Sequence, residues 1–154
     1  AWTTTTPVGG TSAWKKGPKK NMVEIMVAHK IPYTATCSVA YPEDIVKKLT
    51  KAKNIFGPKY IHIFAPCPTG WRVAPGKSVE LGRLAVQTHA FPLYEVENGV
   101  YTVTKKPKKK PLKDYLLMQG RFKHLPEDVI VKLQEDVDRE WELLLRKEEF
   151  TKGL

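Results

Sequence analysis

Cysteine is nearly absent: Cys37 and Cys67 are the only two, and neither sits in a CxxC pair of the kind that marks zinc or redox sites. Taken alone, such isolated thiols are expected to be reduced and mostly buried. The four histidines, His29, His62, His89 and His124, show no HxxxH or HxH spacing. They read as packing or surface residues, not as metal ligands. No Ser-His-Asp arrangement can be assembled either. Long apolar runs are missing as well, with nothing near the roughly 18 residues that cross a bilayer, and no basic, apolar and small-residue series opens the chain. These absences predict a cytoplasmic protein. Acidic residues are few, 16 against 26 lysines and arginines, so the net charge is +10 and the summed field attracts anionic partners. No internal repeat is visible.

What is present suits one globular unit. The 154 residues are 42% hydrophobic and include four tryptophans, enough apolar material for a core. Residues 1–6 (AWTTTT) read as the middle of a Thr/Gly/Pro-rich loop, which predicts that the chain is cut from something longer. Residues 21–29 predict a short amphipathic helix under an Asn21 cap. Residues 33–39 (YTATCSV) are β-branched and small, as in a buried strand.

Pro42, Glu43 and Asp44 begin a helix in the manner of a first turn, with Ile45, Val46, Leu49, Ala52 and Phe56 as its apolar stripe. Lys47, Lys48, Lys51 and Lys53 load its later turns, which suits the negative end of the helix dipole. Gly57-Pro58 ends it, and residues 60–65 (YIHIFA) predict a second buried strand. Strand, helix and strand make a βαβ unit, hence a parallel pair with a right-handed crossover. Open parallel sheets bind ligands at the carboxyl ends of their strands, which directs attention to residues 38–42 and 66–71.

Further along, residues 78–88 predict a helix with Leu81, Leu84, Ala85 and Thr88 on one face. Asn98-Gly99, flanked by alternating apolar residues over 92–105, is a strong hairpin signal. The lysine-proline run 105–111 reads as an exposed linker, and residues 112–118 as one or two helical turns. Pro126, Glu127 and Asp128 start a last helix over 127–149, with Ile130, Leu133, Val137, Trp141 and Leu144 on one stripe and Glu148-Glu149 on a solvated face. The expected division is an α/β part over 1–104 and a basic linker with a C-terminal helical extension over 105–154.

Residues 65–71 (APCPTGW) follow a strand directly, and two prolines fix the backbone around one thiol, as suits a sulfur aimed in advance at a metal. This segment with the preceding 57–64 (GPKYIHIF), and residues 31–36 (IPYTAT), 40–42 (AYP), 92–96 (PLYEV) and 119–122 (QGRF), resembles the beta subunit of pyruvate:ferredoxin oxidoreductase (pyruvate synthase). The similarity runs in order through nearly the whole chain, with APCPTGW and QGRF its most specific parts. It implies the C-terminal portion of a parallel-sheet, thiamine-diphosphate-binding α/β fold with a β-hairpin and a helical extension.

By this resemblance Cys67 is a ligand of a [4Fe-4S] cluster, while Cys37 is a buried structural thiol. The other three ligands, and the motif that holds magnesium and the cofactor's diphosphate, belong to a preceding part of the subunit. Four thiolates are required and two are here, so the fragment is expected to bind neither iron nor thiamine diphosphate stoichiometrically and not to be catalytic alone. The resemblance brings Thr3, Thr4, Thr5 and Thr6 toward the cofactor pocket, against a plain reading as a turn-rich loop. Arg121, in QGRF, is a candidate partner for an anion, for a neighbouring subunit's carboxylate or for a local ion pair.

The implied activity is oxidative decarboxylation of pyruvate to acetyl-CoA and CO2, with electrons passed through clusters to ferredoxin. Implied partners are alpha, gamma and delta-type subunits, ferredoxin, pyruvate and coenzyme A, with no nucleic acid and no membrane. Another 2-oxoacid remains an alternative substrate. A basic nucleic-acid-binding module is the alternative of another class, motivated by Lys15-Lys16, Lys19-Lys20 and the run 105–110. Those clusters lack interleaved aromatics and a recognised motif.

Overall fold

A computed structural model describes residues 20–153. The chain runs through α1 (Met22–Ala28), β1 (Tyr33–Ser38), α2 (Pro42–Asn54), β2 (Lys59–Phe64), a single turn α3 (Pro68–Trp71), α4 (Ser78–Gln87), β3 (Tyr94–Glu97), β4 (Val100–Val103), α5 (Leu112–Leu117) and α6 (Glu127–Thr151). Asn21 caps α1 as expected, its side-chain oxygen accepting from the Glu24 N–H at 3.3 Å. β1 and β2 pair in parallel, Tyr33 opposite Lys59 through Ser38 opposite Phe64. The hairpin forms at Asn98 and Gly99, both at positive φ, the backbone that a two-residue turn between twisted strands demands. It joins the same sheet, because β3 lies antiparallel on the other side of β1, giving the order β2-β1-β3-β4. The sheet is therefore mixed, with one parallel pair extended by the hairpin.

Three apolar clusters hold the layers. Leu81, Leu84 and Ala85 of α4 meet Leu112 and Leu116 of α5 and Ile130 of α6. Val23 of α1 and Leu144 of α6 pack on the face of the hairpin that carries Tyr94, Val96, Tyr101 and Val103. Beneath α2 the core is thin, with only Tyr33, Ala35 and Ala52 buried and Ile55 and Ile61 partly so.

That thinness marks two departures from expectation. α2 buries only Ala52 of its apolar stripe: Ile45 is half-buried, Val46 is 62% exposed, Leu49 45% and Phe56, just past the helix, 100%. The face turned to the sheet is Asp44, Lys48 and Ala52, one helical turn apart. Lys48, read from sequence as one of four lysines suiting the helix dipole, is buried and ion-paired to Asp44 at 2.7 Å. Likewise β2 is not a buried strand but an edge strand, with Lys59 and Ile63 exposed and the rest half-buried.

Glu148 is the third departure. Glu149 is solvated, but Glu148 is buried and accepts from the Val103 N–H at 2.9 Å and from Lys106 Nζ at 2.6 Å. Burial pushes its carboxyl up, but Lys106 and the Val103 N–H outweigh this and hold it below the ordinary value. A carboxyl depressed in the folded state stabilises fully above its unfolded pKa of about 4.3 and loses that contribution as pH falls through the lower folded value. Glu148→Ala, which orphans a strand N–H, should cost about 1–3 kcal/mol in urea titrations at neutral pH. The gap to wild type should shrink under acid, when the wild-type carboxyl is itself protonated; a gap independent of pH would remove the charged interaction from the account.

The connector at 105–110 is exposed apart from the half-buried Pro107, as its composition predicts, yet it is strapped to α6 by Lys106 on Glu148 and by Lys109 on Asp138, each at 2.6 Å. Among the described residues no helix is long and apolar enough to cross a membrane.

Candidate functional site

Of the two strand ends singled out by topology, one is closed. The turn after β1 lies under α4, where a side chain on Gly82 would meet the Ala40 Cβ at 2.8 Å. Only a glycine lets the helix approach the backbone so closely. The end of β2 is open. Its chain continues through Pro66 into Cys67, which stands at the N-cap position of α3 with Pro68 as first helical residue. The Trp71 N–H bonds back to the Cys67 carbonyl at 2.9 Å, and Arg72 leaves the turn in the left-handed region at φ 55°. Cys67 is exposed, contrary to the expectation for an isolated cysteine, and its Sγ lies over Gly70, 3.1 Å from where a Cβ would stand. Any larger residue at 70 would displace the thiol.

The QGRF segment, 119–122, packs onto this loop. The Gly120 N–H bonds to the Arg72 carbonyl at 3.2 Å, and a Cβ on Gly120 would collide with the Arg72 Cβ at 2.7 Å. This contact brings Arg121 over the Trp71 ring, 4.1 Å from its centroid, and over Phe122 at 4.5 Å. Gln119, fully buried, donates to the Tyr115 carbonyl at 2.8 Å and accepts from Arg121 Nε at 2.9 Å, fixing the guanidinium in place. Burial pulls the Arg121 pKa down to about 10, with Tyr115 and the nearby Cys67 opposing. It remains a cation at neutral pH.

From sequence Arg121 was a candidate for an anion, a neighbouring subunit's carboxylate or a local ion pair; its contacts in the structure include the Trp71 and Phe122 rings and the Gln119 amide. Trp71, Gly70 and Gln119 join the site without having been singled out individually. The signal for them was that APCPTGW and QGRF were the two most specific segments, which is intelligible now that they touch.

Cys37 lies fully buried in β1, and burial pushes its thiol pKa up against the opposing charge of Lys48. His62 packs edge-on against Phe91 at 5.2 Å, and His89 stacks on Trp141 at 3.8 Å. His29 and His124 are exposed. Among the described residues no group of three or more His, Cys, Asp or Glu could hold a metal ion. A cleft of about 1240 Å³ between the sheet and α6 is lined by Phe91, Tyr94, His89, Trp141 and Leu133, and Cys67 does not line it. Thr3, Thr4, Thr5 and Thr6 lie outside the described residues.

The donor set fits one ligand of a four-thiolate cluster. Cys67 offers an accessible sulfur on a backbone fixed by two prolines. Cys37 is enclosed in the sheet and offers none. The remaining donors have to come from outside these residues.

No family model matches the chain. Curated proteins do. The Pyrococcus furiosus protein named ketoisovalerate oxidoreductase subunit VorB is 52% identical over 147 residues, covering 94% of this chain and 47% of that protein. Pyruvate synthase subunit PorB of Methanocaldococcus jannaschii is 49% identical over 145 residues, 94% of this chain and 49% of its own length. The chain is a homologue of these oxidoreductase subunits. PorB of Thermotoga maritima, 48% identical over 156 residues, extends the match to 97% of the chain. The chain spans about half the length of the PorB and VorB relatives it matches. PorB/VorB homology bears out the resemblance carried by the motifs and does not favour a nucleic-acid-binding module.

Proposed function

We propose that the chain is part of the beta subunit of a pyruvate:ferredoxin oxidoreductase, in which Cys67 is one ligand of a [4Fe-4S] cluster. The carrying observation is the placement of Cys67: the one exposed thiol among the described residues, at the open carboxyl end of β2, on a loop braced by the QGRF segment. In the complete enzyme, thiamine diphosphate with magnesium supplies the carbanion chemistry and the cluster accepts electrons one at a time. This chain's share is narrower. Pro66 and Pro68 aim the sulfur, Gly70 leaves room for it, Trp71 and Gln119 hold the Arg121 guanidinium at its side, and the buried Asp44-Lys48 pair fixes α2 to β1, the neighbour of the strand that carries it. Alpha, gamma and delta-type subunits, ferredoxin, pyruvate and coenzyme A are the partners of this reading.

A second 2-oxoacid is a specific competitor, because VorB relatives match at 52% and PorB relatives at 48–52% identity. Reconstitution of the complete complex, with ferredoxin reduction followed on pyruvate and on ketoisovalerate, separates the two. The proposal expects the higher kcat/KM on pyruvate. A preference for ketoisovalerate by tenfold or more would reassign the substrate and leave the subunit reading intact, and no reduction with either acid would overturn the reading.

The lysine run contributes association and not chemistry. Lys108 and Lys110 are exposed and are the ones to neutralise, since Lys106 and Lys109 strap the connector to α6. Lys108→Ser with Lys110→Ser should lower the ferredoxin association rate several-fold at low salt, with the difference fading above about 0.15 M salt as the charges are screened. Turnover at saturating ferredoxin should not change; a large fall there would place these lysines in the chemistry.

A further inference from the structure

The QGRF segment brings a charge to the loop that carries Cys67, and its aim is built outward from the core. α5 is anchored through Leu112, Tyr115 and Leu116 in the cluster it shares with α4 and α6. Just past its end stands Gln119, fully buried, whose amide nitrogen donates to the Tyr115 carbonyl at 2.8 Å. That bond turns the amide oxygen toward Arg121, whose Nε donates to it at 2.9 Å. A buried amide satisfied at both ends rigidifies what it holds. The guanidinium carbon then stands 4.1 Å from the centroid of the Trp71 ring, and the Trp71 N–H itself bonds back to the Cys67 carbonyl at 2.9 Å. Core, amide, guanidinium, indole and cysteine thus form one chain of contacts.

Ring faces and an amide dipole orient a charge without neutralising it. Holding a half-buried guanidinium this way costs solvation and side-chain entropy, whereas an apolar side chain of similar length would fill the gap between Trp71 and Phe122 at less cost. Cys67 lies within electrostatic reach of this charge: burial lowers the Arg121 pKa, and Tyr115 and then Cys67 oppose the lowering. A cluster held by four thiolates becomes more negative by one unit when it gains one electron, with no proton required, and its potential follows the net charge, hydrogen bonds and exposure around it. In a partly desolvated place a fixed cation beside one of those thiolates favours the more negative form.

We propose that Arg121 is a positioned charge that raises the reduction potential of the cluster ligated by Cys67, held for that purpose by Gln119 and Trp71. The proposal rests on the reading of Cys67 as a cluster ligand and adds to it what the neighbouring QGRF segment does. Arg121 is not itself a ligand, and its effect is read in the cluster's potential and not in its assembly.

The test is a redox titration of the reconstituted complete complex with a chemical one-electron reductant, followed by electron paramagnetic resonance. The signal to follow is the one that Cys67→Ser removes or shifts. Arg121→Met, which keeps most of the side chain's length and loses its charge, should move the reduction equilibrium about tenfold against the reduced cluster, a midpoint lower by about 59 mV, with the iron content of wild type. Arg121→Lys keeps the charge and should fall by less. Lys123→Met removes an exposed charge two residues along, screened by solvent, and should leave the midpoint where it was. An unchanged midpoint in Arg121→Met, an equal fall in Arg121→Lys or in Lys123→Met, or loss of iron in Arg121→Met would each overturn the proposal. Full iron content and an unchanged spectrum in Cys67→Ser would instead remove the ligand reading beneath it, so the two failures are told apart.

Discussion

Replacing Lys48 with alanine is expected to cost about 3–5 kcal/mol, because it leaves the Asp44 carboxylate buried without its counter-ion. Lys48 is 1% exposed, and its ammonium makes three bonds: to Asp44 at 2.7 Å, to the Thr36 carbonyl at 2.8 Å and to Thr104 Oγ1 at 2.9 Å. These tie α2, the middle of β1 and the end of the hairpin together at one atom. Coulomb attraction alone does not make such a pair stabilising, since desolvation of both ions opposes it; removal of one partner is costly because the other stays behind. The neighbouring Lys47 is exposed, and Lys47→Ala should change stability by no more than about 0.5 kcal/mol. Urea titration at neutral pH separates the two variants cleanly. Asp44→Asn combined with Lys48→Met, which removes both charges at nearly unchanged volume, should recover part of the loss. If Lys48→Ala were as benign as Lys47→Ala, the buried pair would not be what fixes α2 to the sheet.

How much of this was legible in the sequence depended on where each element's partner lay. The hairpin was legible because Asn98-Gly99 settles it locally through positive φ at both residues. The parallel β1-β2 pair followed from strand, helix, strand order, and α4 from the apolar spacing of Leu81, Leu84 and Ala85, which all meet the core within this chain. The stripe on α2 was read correctly as apolar, but only Ala52 of it is buried, because periodicity marks a helix face as apolar without saying what covers it. β2 was likewise read as buried and is the edge strand of the described sheet. Glu148 was illegible because its partner is the backbone of a strand 45 residues earlier. Cys67 was found by its motif, but its neighbours Arg121 and Gln119 arrive through contacts of Gly120 with Arg72 and of Arg121 with Trp71, which no spacing announces.

The largest effect expected anywhere in the molecule is at Cys67. A [4Fe-4S] cluster needs all four thiolates, and the serine hydroxyl is neither soft nor readily ionised, so Cys67→Ser in the complete enzyme should leave one cluster lost or altered. Cys37→Ser is the matched control, a thiol equally rare in the chain but enclosed in β1. It changes packing and touches no ligand. Fold integrity is checked by the unchanged melting of the 154-residue chain carrying Cys67→Ser, since that residue is exposed. The decisive measurement is iron counting with electron paramagnetic resonance on the reduced, reconstituted complex. The account predicts that Cys67→Ser lowers the iron content by up to one cluster's worth or shifts that cluster's spectrum, while Cys37→Ser matches wild type. Full iron content with an unchanged spectrum in Cys67→Ser would contradict the ligand assignment and return Cys67 to an ordinary exposed thiol.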